Sequence, residues 1–213
     1  MKNIVYVLGI MIVSFSCSSS RMIDSWKSPS YTNFSPKKVL IIGVTDNLTA
    51  RQKFESQLQA ALRDRGIEAR ESFDVFAPSF TNTKQTEETI EKEIEKLSNN
   101  GFDAVLISAV KGVNEKTTYT GDWHFQNYYW PRFGRYYYFY QDVYFDRGYY
   151  DKYKVYNIEC TLYNLKDSNK KSLVWVASYN LIDPSSITSS VNTYVKAIIK
   201  AMENEGLINK LYY

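Results

Sequence analysis

With 213 residues, 44% hydrophobic and 23% charged, the chain has the apolar content for one folded domain, and its composition excludes an intrinsically disordered protein. Lys and Arg number 26 against 23 Asp and Glu, so the formal net charge is only +3; without a concentrated basic surface, nucleic acid is excluded as the main partner. The unusual count is 19 tyrosines, and they are clustered.

Met1-Lys2-Asn3 gives a short positive start, Ile4 to Val13 an apolar run, and Ser14 and Ser16 small residues ahead of Cys17. The run is too short for a permanent span, which needs about 20 apolar residues, and it fits a secretory signal over residues 1–16. A cysteine at this place resembles the lipobox of bacterial lipoproteins, although Ser14-Phe15-Ser16 departs from the commoner Leu-Ala-Gly form. That resemblance implies cleavage before Cys17, acyl chains on its thiol and new amine, and anchoring to a membrane. The alternative is an ordinary cleaved signal with an incidental cysteine. Ser18, where aspartate would favour inner-membrane retention, points to the outer membrane, and the missing acidic export cluster points to a periplasm-facing domain. Of 2 Cys, acylation of Cys17 leaves Cys160 unpaired, so stability must come from the core.

Residues 17–36 are rich in Ser and Pro and read as a lipidated tether, with the domain over 37–213. Trp26 is the exception: burying a large aromatic is worth about 1.5–3 kcal/mol, so it is expected to pack on the domain, leaving Ser18 to about Asp24 as free tether. Val39 to Val44 is a continuous apolar run, a strand buried on both faces. Thr49-Ala50-Arg51-Gln52 matches a capping box, and the helix that follows turns Phe54, Leu58, Ala61 and Leu62 inward until Gly66. A short strand near Glu68 to Ser72 and a loop over Phe76 to Lys84 precede a helix from about Thr86, with Ile90, Ile94 and Leu97 inward and Gly101 as its stop. Asp103 to Val110 is another apolar strand; a turn at Gly112 leads to a polar strand, Glu115 to Thr120. Lys152 to Leu165 and Ser172 to Ile182 are long strands, and the last helix carries Ile187, Val191, Tyr194, Val195, Ile198, Ile199 and Met202 at core-facing spacing up to Gly206. The order β-α-β-α-β-β-β-β-α predicts an α/β fold, a single mixed sheet packed with about three helices.

Ser25-Trp26-Lys27, Lys38 to Val44, Arg51 to Phe54-Glu55, Gly66 to Ala69 leading to Ser72, Gly101 to Leu106, and Leu173-Val174-Trp175 to Ala177-Ser178 resemble a family of small bacterial outer-membrane lipoproteins often labelled "cardiolipin synthetase". By topology that family is similar to the N-terminal domain of the Tol-system propeller protein and to lipoprotein activators of penicillin-binding proteins. The resemblance implies a domain that binds proteins and catalyses nothing.

The enzymatic label does not fit the residues. Phospholipase D-type synthases need two His-x-Lys-x-x-x-x-Asp motifs, and the only histidine, His124, is followed by Phe125-Gln126. Amid Trp123, Phe125 and Tyr128, His124 reads as a stacked structural residue. Cys160 alternates with Tyr156, Ile158 and Leu162 and reads as a small core residue. Asp142, Asp146 and Asp151 match no calcium loop, and no Gly-rich phosphate loop occurs, so no metal or cofactor is expected.

Residues 122–151 form an aromatic insertion. From Tyr119 to Tyr156 there are twelve tyrosines, interspersed with Trp123, Trp130, four phenylalanines and Arg132, Arg135 and Arg147. Tyr and Arg are favoured at binding hot spots, so Trp123, Tyr128, Tyr129, Trp130, Arg132, Arg135, Tyr136, Tyr137, Tyr138 and Tyr140 are candidate binding residues for a protein partner. Their faces also suit the sugar rings of a cell-wall glycan, and the segment equally reads as a hairpin extension that supplies core. The functional expectation is a non-enzymatic interaction module in cell-envelope assembly or maintenance, with a cell-wall or glycan-binding lipoprotein as the alternative.

Overall fold

The computed structural model describes residues 20–115, 132–141, 154–167, 172–182 and 186–211. The elements in chain order are β1 (Ser20–Lys27), β2 (Lys38–Val44), α1 (Leu48–Arg63), β3 (Glu68–Glu71), α2 (Ser72–Val75), α3 (Pro78–Asn82), α4 (Glu87–Asn99), β4 (Ala104–Glu115), α5 (Phe133–Tyr140), β5 (Lys154–Asn164), β6 (Leu173–Ile182) and α6 (Ile187–Asn204). The fold is α/β, a single six-stranded sheet in the order β1-β6-β5-β4-β2-β3. β3, β2 and β4 run parallel, and the β4-β5, β5-β6 and β6-β1 pairs are antiparallel.

The apolar runs explain the centre of this sheet. Val39 to Ile42 of β2 and Ala104 to Ile107 of β4 are at most 1% exposed, because helices cover both faces. On one face Val39, Ile41, Leu106, Cys160 and Trp175 pack against Phe54, Leu58 and Leu62 of α1 and Val195, Ile198 and Met202 of α6. On the other, Leu40, Ile42, Val105 and Ile107 pack against Ile90 and Leu97 of α4 and Phe133, Tyr136 and Tyr137 of α5. Arg65 at the end of α1 grips Glu203 near the end of α6 at 2.7 Å, tying together the far ends of the two helices on the first face.

The three long helices end just ahead of the glycines that the sequence marks as their stops. Gly66 has φ 76°, a left-handed conformation that a side chain would strain, and Ile67 N–H then returns to the Leu62 carbonyl. The start of α1 differs from the capping-box expectation. Asn47, not Thr49, is the cap, and its side chain accepts from Ala50 N–H at 2.9 Å. The loop expected over Phe76 to Lys84 contains α3, and Phe76 and Phe80 meet at a tilt in the second core with ring centroids 4.6 Å apart. Gly112 is no turn. β4 runs on through it to Glu115, with an irregularity between Val110 and Gly112 where it pairs with β5. The remainder of the expected polar strand, to Thr120, lies outside the described residues.

The tether expected over residues 17–36 gives way to ordered structure at Ser20, because β1 pairs with β6 from Ser20↔Leu181 to Lys27↔Trp175. The physical reason is backbone hydrogen bonding: β6 presents an edge, and a polar Ser-rich segment satisfies it as well as an apolar one. Trp26 is placed by this pairing opposite Val176, yet its side chain remains 41% exposed. The expectation that indole burial orders the segment is therefore corrected; the strand ladder does so.

Candidate functional site

The chain leaves β2 through α1 on one face and reaches β4 through α4 on the other, so the carboxyl ends of the adjacent parallel strands β2 and β4 flank a crevice. A cleft of about 460 Å³ lies there, within the range of small-ligand sites. Its walls come from six elements: Gly43 and Val44 at the end of β2, Ala50 and Phe54 of α1, Val110, Ile158 and Leu181 of β4, β5 and β6, and Val191 and Tyr194 of α6. The first residues of both flanking helices, Leu48 and Ile187, are exposed by 68% and 36%. Large apolar side chains thus sit at the helix starts beside the cleft.

Gly43 lets α1 approach β2 this closely, since a Cβ there would lie 3.2 Å from Phe54 and 3.3 Å from Arg51. The approach is fixed by a buried polar cluster. Glu55 Oε1 accepts from Gly43 N–H at 2.9 Å and from Arg51 Nε at 3.1 Å, and Oε2 accepts from Ser72 N–H at 2.8 Å. The second Arg51 arm donates to Ser72 Oγ at 2.8 Å, and its guanidinium lies 4.0 Å from the centroid of the Phe73 ring. Burial pushes the Glu55 carboxyl above its usual range, and Arg51 with the Gly43 and Ser72 donors holds against that push. Arg51, Glu55 and Ser72, quoted above only as points of resemblance, therefore meet as one internal lock joining β2, α1 and α2.

Deeper in the cleft, Ser108 Oγ and Tyr194 OH share a buried hydrogen bond of 2.8 Å. Burial raises the Tyr194 phenol well above its ordinary value, with Cys160 adding to the shift, so at neutral pH it stays protonated and offers Ser108 no base. Cys160 is a fully buried thiol on the same face, beside Ile158 and Leu162 in the first core, as its strand alternation indicates. The cleft offers an apolar wall, the Ser108–Tyr194 hydroxyl pair, Asp46 and Asn47 at the start of α1, and Arg51, whose guanidinium is held by Glu55 and Ser72. Among the described residues no group of three or more His, Cys, Asp or Glu could hold a metal ion.

The described part of the aromatic insertion goes elsewhere. Phe133, Tyr136 and Tyr137 face inward from α5 with exposures of 4%, 0% and 1%, and Gly134 lets that helix press onto Ile94 and Ile90 of α4. Tyr136 and Tyr137 are thus core residues and present no surface to a partner. Tyr138 is half-buried against the same core, while Arg132 and Arg135 are exposed. The segment here is a helix, not a hairpin: residues 133, 136 and 137 recur at helical spacing. Tyr140 ends the helix. Trp123, Tyr128, Tyr129, Trp130, His124 and Cys17 lie outside the described residues. Sequence reasoning missed the cleft altogether. Its only signals were the parallel βαβ order and the switch of helices between faces, which emerges when chain segments are assigned to faces.

No family model matches the chain and no curated protein matches it, so the enzymatic label of the family it resembles gains no support there. Among solved structures the chain is similar to the PelC dodecamer from Paraburkholderia phytofirmans, at 17% identity over 90% of this chain and 99% of that one, with a TM-score of 0.44. It is also similar to the lipoprotein GNA1162 from Neisseria meningitidis, at 12% identity over 79% of this chain and 99% of that one, with a TM-score of 0.39. No described helix is long and apolar enough to cross a membrane.

Proposed function

We propose that this chain is a lipid-anchored lipoprotein of the outer membrane, facing the periplasm, whose domain is a non-enzymatic protein-interaction module in cell-envelope assembly or maintenance. The observation that carries the reading is the apolar run Ile4 to Val13 closing on Cys17, three residues before β1 begins. Acyl chains on Cys17, at about 0.8 kcal/mol per buried methylene, would hold the domain at a lipid surface. β1 favours a protein partner. Among the described residues it is an edge strand, with Met22, Ile23 and Trp26 exposed by 43%, 48% and 41%, and its free side carries a row of backbone groups that no described strand pairs. The opposite edge, β3, carries the charged residues Glu68 and Arg70, which discourage such pairing. Two buried polar groupings, the Glu55 cluster and the Ser108–Tyr194 pair, are engaged internally.

The test is crosslinking in intact envelopes followed by mass spectrometry, with the Cys17→Ser chain beside the native one. A defined protein partner crosslinked through β1, together with loss of Cys17→Ser from the membrane fraction and from fatty-acid labelling, is the expected result. A Cys17→Ser chain that stays membrane-bound and acylated would end the anchor reading. Sedimentation with purified sacculi and no protein partner would replace the interaction module by a cell-wall binder.

A further inference from the structure

The cleft lies at one end of the sheet, and that end is also where the chain enters the domain. Ser20, the first residue of β1, pairs with Leu181, and Leu181 lines the cleft. Cys17 stands three residues before Ser20, and chain geometry limits that separation to about 10 Å. A lipid on Cys17 and the leaflet that receives it therefore meet the domain at the end where the cleft lies. The interior of the cleft is built from Val44, Phe54, Val110, Ile158, Val191 and Leu181, with Leu48 and Ile187 exposed at the helix starts beside it.

We infer that the cleft holds an aliphatic acyl chain, in ester or amide linkage, presented at the membrane-proximal end of the domain. The wall supplies apolar contact along the length of the chain. The linkage follows from charge. The charged residues among those lining the cleft are Asp46 and Arg51, and the Arg51 guanidinium is committed to Glu55 and Ser72. Among the described lining residues a free carboxylate would meet Asp46 with no uncommitted cation to receive it, whereas an ester or amide brings no charge. Two sources share this chemistry, the protein's own Cys17 lipid and a lipid of the surrounding leaflet. The orientation argument rests on the anchor reading above; the cleft itself does not.

The experiment titrates the full Cys17→Ser chain, which carries no lipid of its own, with cis-parinaric acid methyl ester, whose fluorescence rises in an apolar site. Saturable one-to-one binding is expected, weakened about tenfold or more by Ala50→Trp, which fills the cleft, and by Ile187→Asp, an exposed substitution that leaves the core untouched. The free acid should bind more weakly than the ester. In the acylated chain, lost ester binding assigns the site to the protein's own lipid, and retained binding assigns it to leaflet lipid; both support an acyl chain. No saturable binding by the folded Cys17→Ser chain, or binding indifferent to both substitutions, overturns the proposal. An acid that binds as tightly as the ester overturns the linkage. Fatty-acid labelling of Cys17 is read separately, so failure of the anchor is distinguishable from failure of the cleft.

Discussion

Glu55 and Gly43 are joined by a buried hydrogen bond of 2.9 Å, in which a helix carboxylate receives a strand N–H at the point where a side chain on the strand would not fit. The same carboxylate receives Arg51 and Ser72, so one group fixes the spacing of strand, helix and the following turn. Removing it has a lopsided consequence. Glu55→Ala leaves the Arg51 guanidinium charged and 2% exposed, because arginine does not shed its proton. Arg51→Met leaves a carboxyl that burial already pushes toward protonation. Glu55→Ala is therefore expected to cost about 3–5 kcal/mol in urea denaturation, and Arg51→Met less. A larger loss from Arg51→Met, or a Glu55→Ala loss under about 1 kcal/mol, would show that the cluster does not hold the fold as described.

Cys160 tests the burial of the first core. Desolvation drives its thiol far above the ordinary value, so no thiolate forms at neutral pH and no reagent reaches it. In the Cys17→Ser chain, where it is the single cysteine, it should stay unmodified by a thiol-disulfide reagent in native buffer and react at once in urea. Rapid native reaction would contradict the packing.

Tyr31 gives a pH signature. Its phenol donates to Asp167, and burial first, then the Asp167 carboxylate, push its pKa up to about 12. The folded value lies above the unfolded value of about 10. The contribution of Tyr31 is thus fully present below about pH 10 and is lost as pH rises through about 12. The wild type should lose stability relative to Tyr31→Phe across that window, read from urea midpoints. A constant difference between the two across the window would refute the shift.

Gly134 tests how tightly α5 lies on α4. A Cβ there would come within 2.9 Å of the Ile94 Cδ1, the far end of a flexible side chain, and alanine would gain up to about 1 kcal/mol of helix preference. Gly134→Ala should therefore melt within a few degrees of wild type, and Gly134→Leu should lose about 2 kcal/mol through overpacking. Equal melting of the two variants would mean the helices are not in contact.

The strands that were plain in the sequence are those with water on neither face. β2 and the first half of β4 consist of little but apolar residues, and α6 shows its stripe from Val191 to Met202. β1 was illegible because an edge strand is held by its backbone, and Ser20, Asp24 and Ser25 carry no apolar alternation to betray it. α5 was not read as a helix: one of the readings of its segment was a hairpin that supplies core, and the core is supplied, but from a helix, because the 3-and-4 spacing of Phe133, Tyr136 and Tyr137 outweighs their intrinsic strand preference once α4 supplies a surface. The cleft was out of reach for another reason. Its residues come from six separate elements or their flanks, and only the placement of α1 and α6 on one face brings them together.

The pairing of β1 with β6 also orders events in time. β1 is the first described part of the domain to be synthesised, yet its neighbour in the sheet among the described strands, β6, is made near the end of the chain. Until β6 has emerged and found β5, β1 has nothing to pair with, and it stays an open, extended stretch while the rest of the sheet assembles. The enzymes that would process Cys17 thus meet a flexible approach rather than a finished domain. On the anchor reading proposed above, closing β1 onto the edge then shortens the leash to Cys17 late in folding.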